Sequence, residues 1–259
     1  MGRWGVWPIL VLALAGCAVN GKRAELADIN YQLGVGYYRQ GDYAMALEKL
    51  KKAEDLRPAR VDVLMVEGLA YQALGRWAEA EAAFRRALEL LEPDDEGDLP
   101  AARNLALAGD LHNNYGAFLC ARGRYREAMD QFRAALAQPG YRTPEAAWEN
   151  LGLCALRAGE RATAQEALEK ALVLDPNRPA GLVALARLRW EAGDADGAER
   201  LLARARALGP LGPEGLWLAI EMGRAQGRPT DQDERALRER HPGSPEAAQL
   251  RQTTRTTRP

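Results

Sequence analysis

The alternation of apolar and polar positions predicts pairs of helices along most of the chain. The clearest pair lies near the middle, on either side of a glycine turn at Gly123. Its packing positions are Tyr115, Gly116, Leu119, Tyr125, Ala128 and Phe132. Residues three or four apart share one face of a helix, so each segment has a single apolar face to bury. We therefore predict a helix, a turn at Gly123, and a second helix that folds back on the first.

This two-helix pattern recurs at a nearly constant period. The small position of the first helix is repeated with spacings of 34, 48, 36, 34 and 34 residues, at Gly34, Gly68, Gly116, Gly152, Ala186 and Ile220. A turn glycine follows seven residues later each time, at Gly41, Gly75, Gly123, Gly159, Gly193 and Gly227. A generic alanine-rich bundle requires only the helical period, so a period of about 34 residues indicates tetratricopeptide repeats.

The second helices carry small residues at two positions seven apart. These are Ala46, Ala80, Ala128, Ala164 and Ala198, followed by Ala53, Ala87, Ala135, Ala171 and Ala205. Small side chains allow two antiparallel helices to approach closely. Proline closes three of the second helices, at Pro58, Pro176 and Pro210, because it lacks a backbone N–H and clashes with the preceding turn.

The predicted fold class is therefore all-α, a tetratricopeptide-repeat right-handed superhelical solenoid of six helix pairs. The repeats are predicted over residues 27–60, 61–94, 109–142, 145–178, 179–212 and 213–245. An acidic insertion over about 93–108 separates the second and third repeats. A polar tail covers 246–259, and we expect its Thr- and Arg-rich end, 251–259, to be disordered.

The amino terminus resembles a bacterial lipoprotein signal peptide over residues 1–16. Arg3 supplies a positive charge, and an apolar run of about eleven residues follows, too short for a spanning helix of about 20 residues. The run ends Leu14-Ala15-Gly16-Cys17, which resembles the lipobox before a lipid-modified cysteine. We expect lipidation at Cys17, a tether over 17–26, and, because Ala18 follows Cys17, attachment to the periplasmic face of the outer membrane. An ordinary signal peptide with a chance cysteine is the alternative.

Composition argues against several other functions. The formal net charge is −1, whereas proteins that bind nucleic acid without sequence preference have an excess of basic residues. The chain contains two histidines, three cysteines and no CxxC, so its sequence shows no metal-ligand spacing. Nucleotide-binding and hydrolase motifs are also absent from the sequence. We predict no cofactor, no metal and no enzymatic activity.

A protein partner is expected on the face formed by the first helices. Counting from the start of each repeat, the inward positions are 2, 5, 9 and 12, which gives Asp28, Tyr31, Val35 and Tyr38 in repeat 1 and Asp62, Met65, Leu69 and Gln72 in repeat 2. The apolar and aromatic members, Tyr31, Val35, Tyr38, Met65 and Leu69, form a strip typical of interaction sites. Asn113 is suited to holding a peptide backbone, and Trp190 and Trp217 also occupy inward positions. The alternative is that the amino-terminal tether folds back over the strip.

Cys120 and Cys154 lie on the first helices of adjacent repeats. Neighbouring first helices pack side by side, so the two thiols could meet and form a disulfide in an oxidising compartment. Two reduced, buried cysteines acting as small apolar residues are the alternative.

Several segments resemble one family, the type IV pilus biogenesis/stability lipoproteins of the PilW or PilF pilotin group. They are NNYGAFLCARGRYREA over 113–128, GLCALRAG over 152–159, DPNRPAG over 175–181 and HPGSPEA over 241–247. The resemblance implies a monomeric, non-enzymatic outer-membrane lipoprotein that binds the secretin of the type IV pilus and promotes its localisation or multimerisation. It also implies pairing of Cys120 with Cys154.

The chain departs from this family at His112 and in its longer insertion. A different reading remains open, in which the chain is a tetratricopeptide-repeat lipoprotein that scaffolds peptidoglycan or outer-membrane assembly complexes.

Overall fold

A computed structural model describes the backbone of residues 7–92 and 102–256 and the side chains of residues 21–92 and 104–253. All regular elements within these residues are helices. The chain divides into two compact units. Unit 1 comprises Met1–Ala121 and Ala137–Arg142, and unit 2 comprises Arg122–Leu136 and Thr143–Pro259.

Unit 1 contains two helix hairpins followed by a further helix. Its helices are α1 (Trp7–Arg39), α2 (Tyr43–Leu56), α3 (Val61–Ala73), α4 (Trp77–Glu89), the single turn α5 (Ala102–Leu105) and α6 (Ala108–Ala121). Helix α1 packs on α2, α3 packs on α4, and α6 packs on both α3 and α4. An aromatic cluster joins α4 to α6, in which the ring of Phe84 lies 5.5 Å from that of Tyr115 and 5.6 Å from that of Phe118.

Unit 2 contains most of the second half of the chain. Its helices are α7 (Tyr125–Ala137, whose last residue belongs to unit 1), α8 (Pro144–Ala158), α9 (Arg161–Leu174), α10 (Pro179–Glu191), α11 (Ala195–Leu208), α12 (Pro213–Ala225), α13 (Asp231–Arg240) and α14 (Pro245–Thr256). The pairs α8–α9, α10–α11 and α12–α13 pack as successive hairpins.

The positions that define the repeat have the predicted structural roles. The ten alanines of the second helices are at most 1% exposed. The six turn glycines have φ between 67° and 84°, a left-handed conformation that glycine adopts without steric penalty. At Gly152 a Cβ atom would lie 2.6 Å from Cγ of Leu168, so a side chain there would clash with the paired helix. The predicted all-α class, built from repeated helix pairs, is confirmed.

The amino terminus differs from the predicted division into leader, tether and first repeat. Helix α1 is continuous from Trp7 to Arg39, so the segment 17–26 is helical and extends the first helix of repeat 1. Residues 1–6, and the side chain of Cys17, lie outside the described residues. Among the described residues, no helix combines the length and the apolar character required to cross a membrane.

The insertion is described only at its end, and the tail differs from expectation. Residues 93–101 lie outside the described residues, and the segment after them forms α5, separated from α6 by a turn. Expected disorder from residue 251 is wrong as far as residue 256, because α14 continues to Thr256. Ala247 and Leu250 of α14 are fully buried in the core of unit 2, and this burial stabilises a helix whose composition is otherwise polar.

Candidate functional site

The predicted strip is assembled in unit 1. Tyr31, Val35 and Tyr38 of α1 and Met65 and Leu69 of α3 are all half-buried. The three α1 residues pack against the core formed by α2 and α3. These residues therefore contribute to the core of unit 1 and also keep part of their surface exposed to solvent.

A buried ion-pair network lies directly beside Tyr31. Arg60, at the start of α3, is 4% exposed and donates to Asp62 through Nε (3.0 Å) and Nη2 (2.8 Å), and to Asp28 through Nη1 (2.6 Å). Its guanidinium carbon lies 5.0 Å from the centre of the Tyr31 ring, in cation–π range. Hydrogen bonding to Asp62 raises the pKa of Arg60, so the guanidinium stays protonated although it is buried. Two aspartates at inward positions and Arg60 together fix the ring of Tyr31.

Sequence reasoning missed Arg60. A signal for it exists, because Arg60 and Arg178 occupy equivalent positions of the repeat, each one residue before a first helix. Each also forms an ion pair with a carboxylate of the preceding first helix, Asp28 and Glu149 respectively. A recurrent arginine at this position thus marks an ion pair between successive repeats.

A cleft of about 590 Å³ opens next to Tyr31 and Asp62 in unit 1. Its other walls are the segments 105–109 and 138–142. Gly109 is required here, since a Cβ atom would lie 2.3 Å from Cδ2 of Tyr141. Asp110, the residue after Gly109, lies behind this wall, and burial raises its pKa.

The end of the insertion is anchored beside the same cleft. Asn104 of α5 is 6% exposed, accepts a hydrogen bond from the backbone N–H of Val61 and donates one to the carbonyl of Ala59, both at 3.4 Å. Leu105, the next residue, lines the cleft. The segment that interrupts the repeat period therefore contributes a wall to the candidate site, and its spacing alone did not reveal this.

The remaining predicted partner residues occupy different environments. Asn113 is half-buried on α6 in unit 1. In unit 2, Trp190 is half-buried against the core, whereas Trp217 belongs to that core and is 8% exposed. Trp217 is thus mainly a packing residue whose exposed edge lines a cavity. Arg187 and Glu221, at inward positions of α10 and α12, pair with each other.

The two cysteines within the described side chains are buried, with Cys120 6% and Cys154 1% exposed. Each of them is disulfide-bonded. Their pairing with one another stays a prediction. No cluster of three or more histidine, cysteine, aspartate or glutamate residues suited to a metal ion occurs among residues 21–92 and 104–253.

Comparison with protein families identifies the repeat. Two tetratricopeptide-repeat profiles match the chain, one over residues 31–98 and 119–179 and the other over 155–215. The chain is 30% identical over 192 residues to the type IV pilus assembly protein PilF of Pseudomonas aeruginosa, a match that covers 71% of each protein.

Solved structures agree with this relationship. The structure of Pseudomonas aeruginosa PilF superposes with a TM-score of 0.74 and 26% identity, covering 90% of this chain and 99% of that protein. The structure of PilW, described as a widely conserved type IV pilus biogenesis factor, superposes with a TM-score of 0.71 and 29% identity, covering 86% and 97%. The chain therefore belongs to the tetratricopeptide-repeat family of type IV pilus biogenesis proteins that includes PilF and PilW.

Proposed function

We propose that this protein is an outer-membrane lipoprotein that acts as a pilotin, binding the type IV pilus secretin and promoting its localisation or multimerisation. The observation that carries the proposal is the similarity to PilF over 71% of both chains. The protein acts as an adaptor without catalysis. Its contribution is to bind the secretin and to position it at the membrane.

The strip of unit 1 is the proposed binding surface. Its five residues expose apolar area next to a cleft of about 590 Å³. The Arg60 network holds the Tyr31 ring in one position, so less side-chain entropy is lost when a partner covers it. A partially exposed apolar surface that includes an aromatic ring held by Arg60 is suited to a protein segment, since hot spots in interfaces are commonly rigid aromatic residues.

The proposed lipid on Cys17 would act by proximity. Two or more acyl chains anchor a protein stably to a membrane. Helix α1 runs without interruption from residue 17 to Tyr31, a distance of about 21 Å at 1.5 Å per residue. The anchor would therefore keep the strip close to the membrane surface and raise the local concentration of a bound secretin there.

The test separates anchoring from binding. Cys17→Ser should leave secretin co-purification intact but shift the secretin away from the outer-membrane fraction. Met65→Glu with Leu69→Glu should abolish co-purification, because two charges would be placed in an apolar contact. Val173→Glu is the matched control, since Val173 is 81% exposed on α9 and its substitution should change neither result.

An unchanged secretin distribution in a strain that lacks the protein would contradict the pilotin role. Defects in the cell envelope without a pilus defect would instead support the alternative adaptor function in peptidoglycan or outer-membrane assembly.

A further inference from the structure

A second cleft lies in unit 2, where the first turns of α10, α12 and α14 come together. Two cavities of about 500 and 450 Å³ share Ala180, Val183, Glu214 and Glu246 as lining residues. The two cavities therefore adjoin each other along these residues. We refer to this space, bounded by the first turns of those three helices, as the acidic cleft.

The floor of the acidic cleft is apolar. Val183 of α10 lines both of its cavities, Leu211 of the α11–α12 loop lines one, and Trp217 of α12 lines the other. Val183 is only partly buried by the protein itself. A bulky apolar side chain of a partner would cover this floor, and removing both apolar surfaces from water favours binding.

Two carboxylates stand at the rim. Glu214 is exposed and forms no ion pair with any residue that the structure describes. Glu246 has its Oε2 atom buried without a hydrogen bond from any described group. Glu246 lines both cavities together with Glu214, so the two carboxylates lie at the same part of the cleft.

The basic residues of the cleft do not neutralise this rim. Arg187 is already engaged with Glu221. Arg157 is exposed at the α8 side of the cleft and forms no ion pair within the described residues. Arg157 offsets only part of the charge of Glu214 and Glu246, so the cleft keeps a net negative charge beside its apolar floor.

We propose that the acidic cleft binds an extended protein segment in which an arginine or lysine stands beside a bulky apolar residue. The apolar side chain covers Val183, and the cation pairs with the carboxylates of Glu214 and Glu246. Charge complementarity selects this class of partner over acidic segments. The site lies in unit 2 and does not depend on the pilotin role proposed for the strip in unit 1.

The test uses the mature chain with Cys17→Ser and three fluorescein-labelled octapeptides. The first alternates leucine and arginine, the second has glutamate in place of arginine, and the third has serine in place of leucine. Fluorescence anisotropy should show the first bound at least about tenfold more tightly than either of the others, as expected for loss of one charge pair or of the apolar contact. Equal binding of the first and second peptides, or no binding of the first, would overturn the proposal.

Protein variants locate the interaction. Glu246→Gln with Glu214→Gln should weaken binding of the leucine–arginine peptide about tenfold or more. Two matched controls remove one glutamate charge each from exposed positions in the same unit, Glu239→Gln on α13 and Glu160→Gln before α9. Weakening of equal size in the controls would show nonspecific attraction and refute the site. The peptide series decides the matter even if the double variant fails to fold.

Discussion

Glu149 on α8 accepts a hydrogen bond of 2.8 Å from the backbone N–H of Gly181 in the first turn of α10. The other carboxylate oxygen accepts from the guanidinium of Arg178. Glu149 is 8% exposed, so both interactions form in a poorly solvated environment. The negative charge also lies at the amino end of α10, where the helix dipole favours it. One side chain thus joins two successive repeats of unit 2.

Substitution of this carboxylate should destabilise unit 2. Glu149→Ala would leave the Gly181 N–H without its acceptor and Arg178 with only the more distant carboxylate of Asp175. We expect a loss of about 2–4 kcal/mol in the free energy of unfolding. Urea denaturation followed by circular dichroism measures it. Glu166→Ala is the control, because Glu166 forms an exposed pair with Lys170, and exposed pairs contribute little to stability. Equal effects of the two substitutions would contradict the role of Glu149.

Two glycines of α1 should respond in opposite ways to alanine. A Cβ atom at Gly34 would lie 2.7 Å from Cγ of Leu50, whereas one at Gly36 would meet nothing within 4 Å. Gly34→Ala should therefore destabilise the protein by about 1–3 kcal/mol through overpacking. Gly36→Ala should stabilise it by up to about 1 kcal/mol through helix propensity.

Thermal unfolding of both variants beside the parent chain provides the comparison. The same sign of change at both positions would mean that the close approach of α1 and α2 at Gly34 does not limit side-chain size.

Glu67 on α3 should make stability depend on pH. Burial raises the pKa of Glu67 to about 7, with repulsion from Glu54 and Asp55 adding to the rise and Arg86 and Lys51 opposing it. The ordinary value is 4.5, so the folded chain holds this proton more tightly than the unfolded chain. The stabilisation is complete below about pH 4.5 and is lost as the pH rises through about 7.

Glu67→Gln keeps the neutral form at every pH and so tests this directly. The variant should be more stable than the parent at pH 8 by up to roughly 3 kcal/mol, from about 1.36 kcal/mol per pKa unit, relative to the difference between the two proteins at pH 4. Glu166→Gln, at an exposed glutamate whose pKa is lowered by Lys170, should show no such gain. A pH-independent difference for Glu67→Gln would refute the assignment.

The buried cysteines predict a specific chemical result. If Cys120 pairs with Cys154, alkylation of the unreduced mature protein should modify neither of these thiols, and mass spectrometry of a digest should detect one linked peptide pair. Closing a loop of this length contributes about 3–4 kcal/mol in the chain-entropy model, so reduction should lower the stability by that order. Alkylation of both cysteines without a reductant would rule out the bond.

Much of the repeat could be read from the sequence because its rules are local. The turn glycines, the alanines of the second helices and the closing prolines act within one hairpin or between adjacent ones, so a period of about 34 residues reveals them. The family resemblance is confirmed by the similarity to PilF over 71% of both chains. Repeat positions also assign Tyr31, Val35, Tyr38, Met65 and Leu69 to one face, and their role as a binding surface stays a prediction.

Other features depend on which side chains meet from separate elements. The sequence by itself determined that the chain forms repeated helix pairs and which residues stand at their close contacts, because each hairpin satisfies its own backbone and buries a periodic apolar face. Only the tertiary structure decided that Trp217 lies in the core and that the guanidinium of Arg60 lies over the ring of Tyr31. It also decided that Glu67 is buried near the carboxylates of Glu54 and Asp55. The helix α14 likewise depends on the burial of Ala247 and Leu250. The burial and pairing of these groups depend on side chains that are far away along the chain but close in space. A local sequence pattern does not specify such contacts.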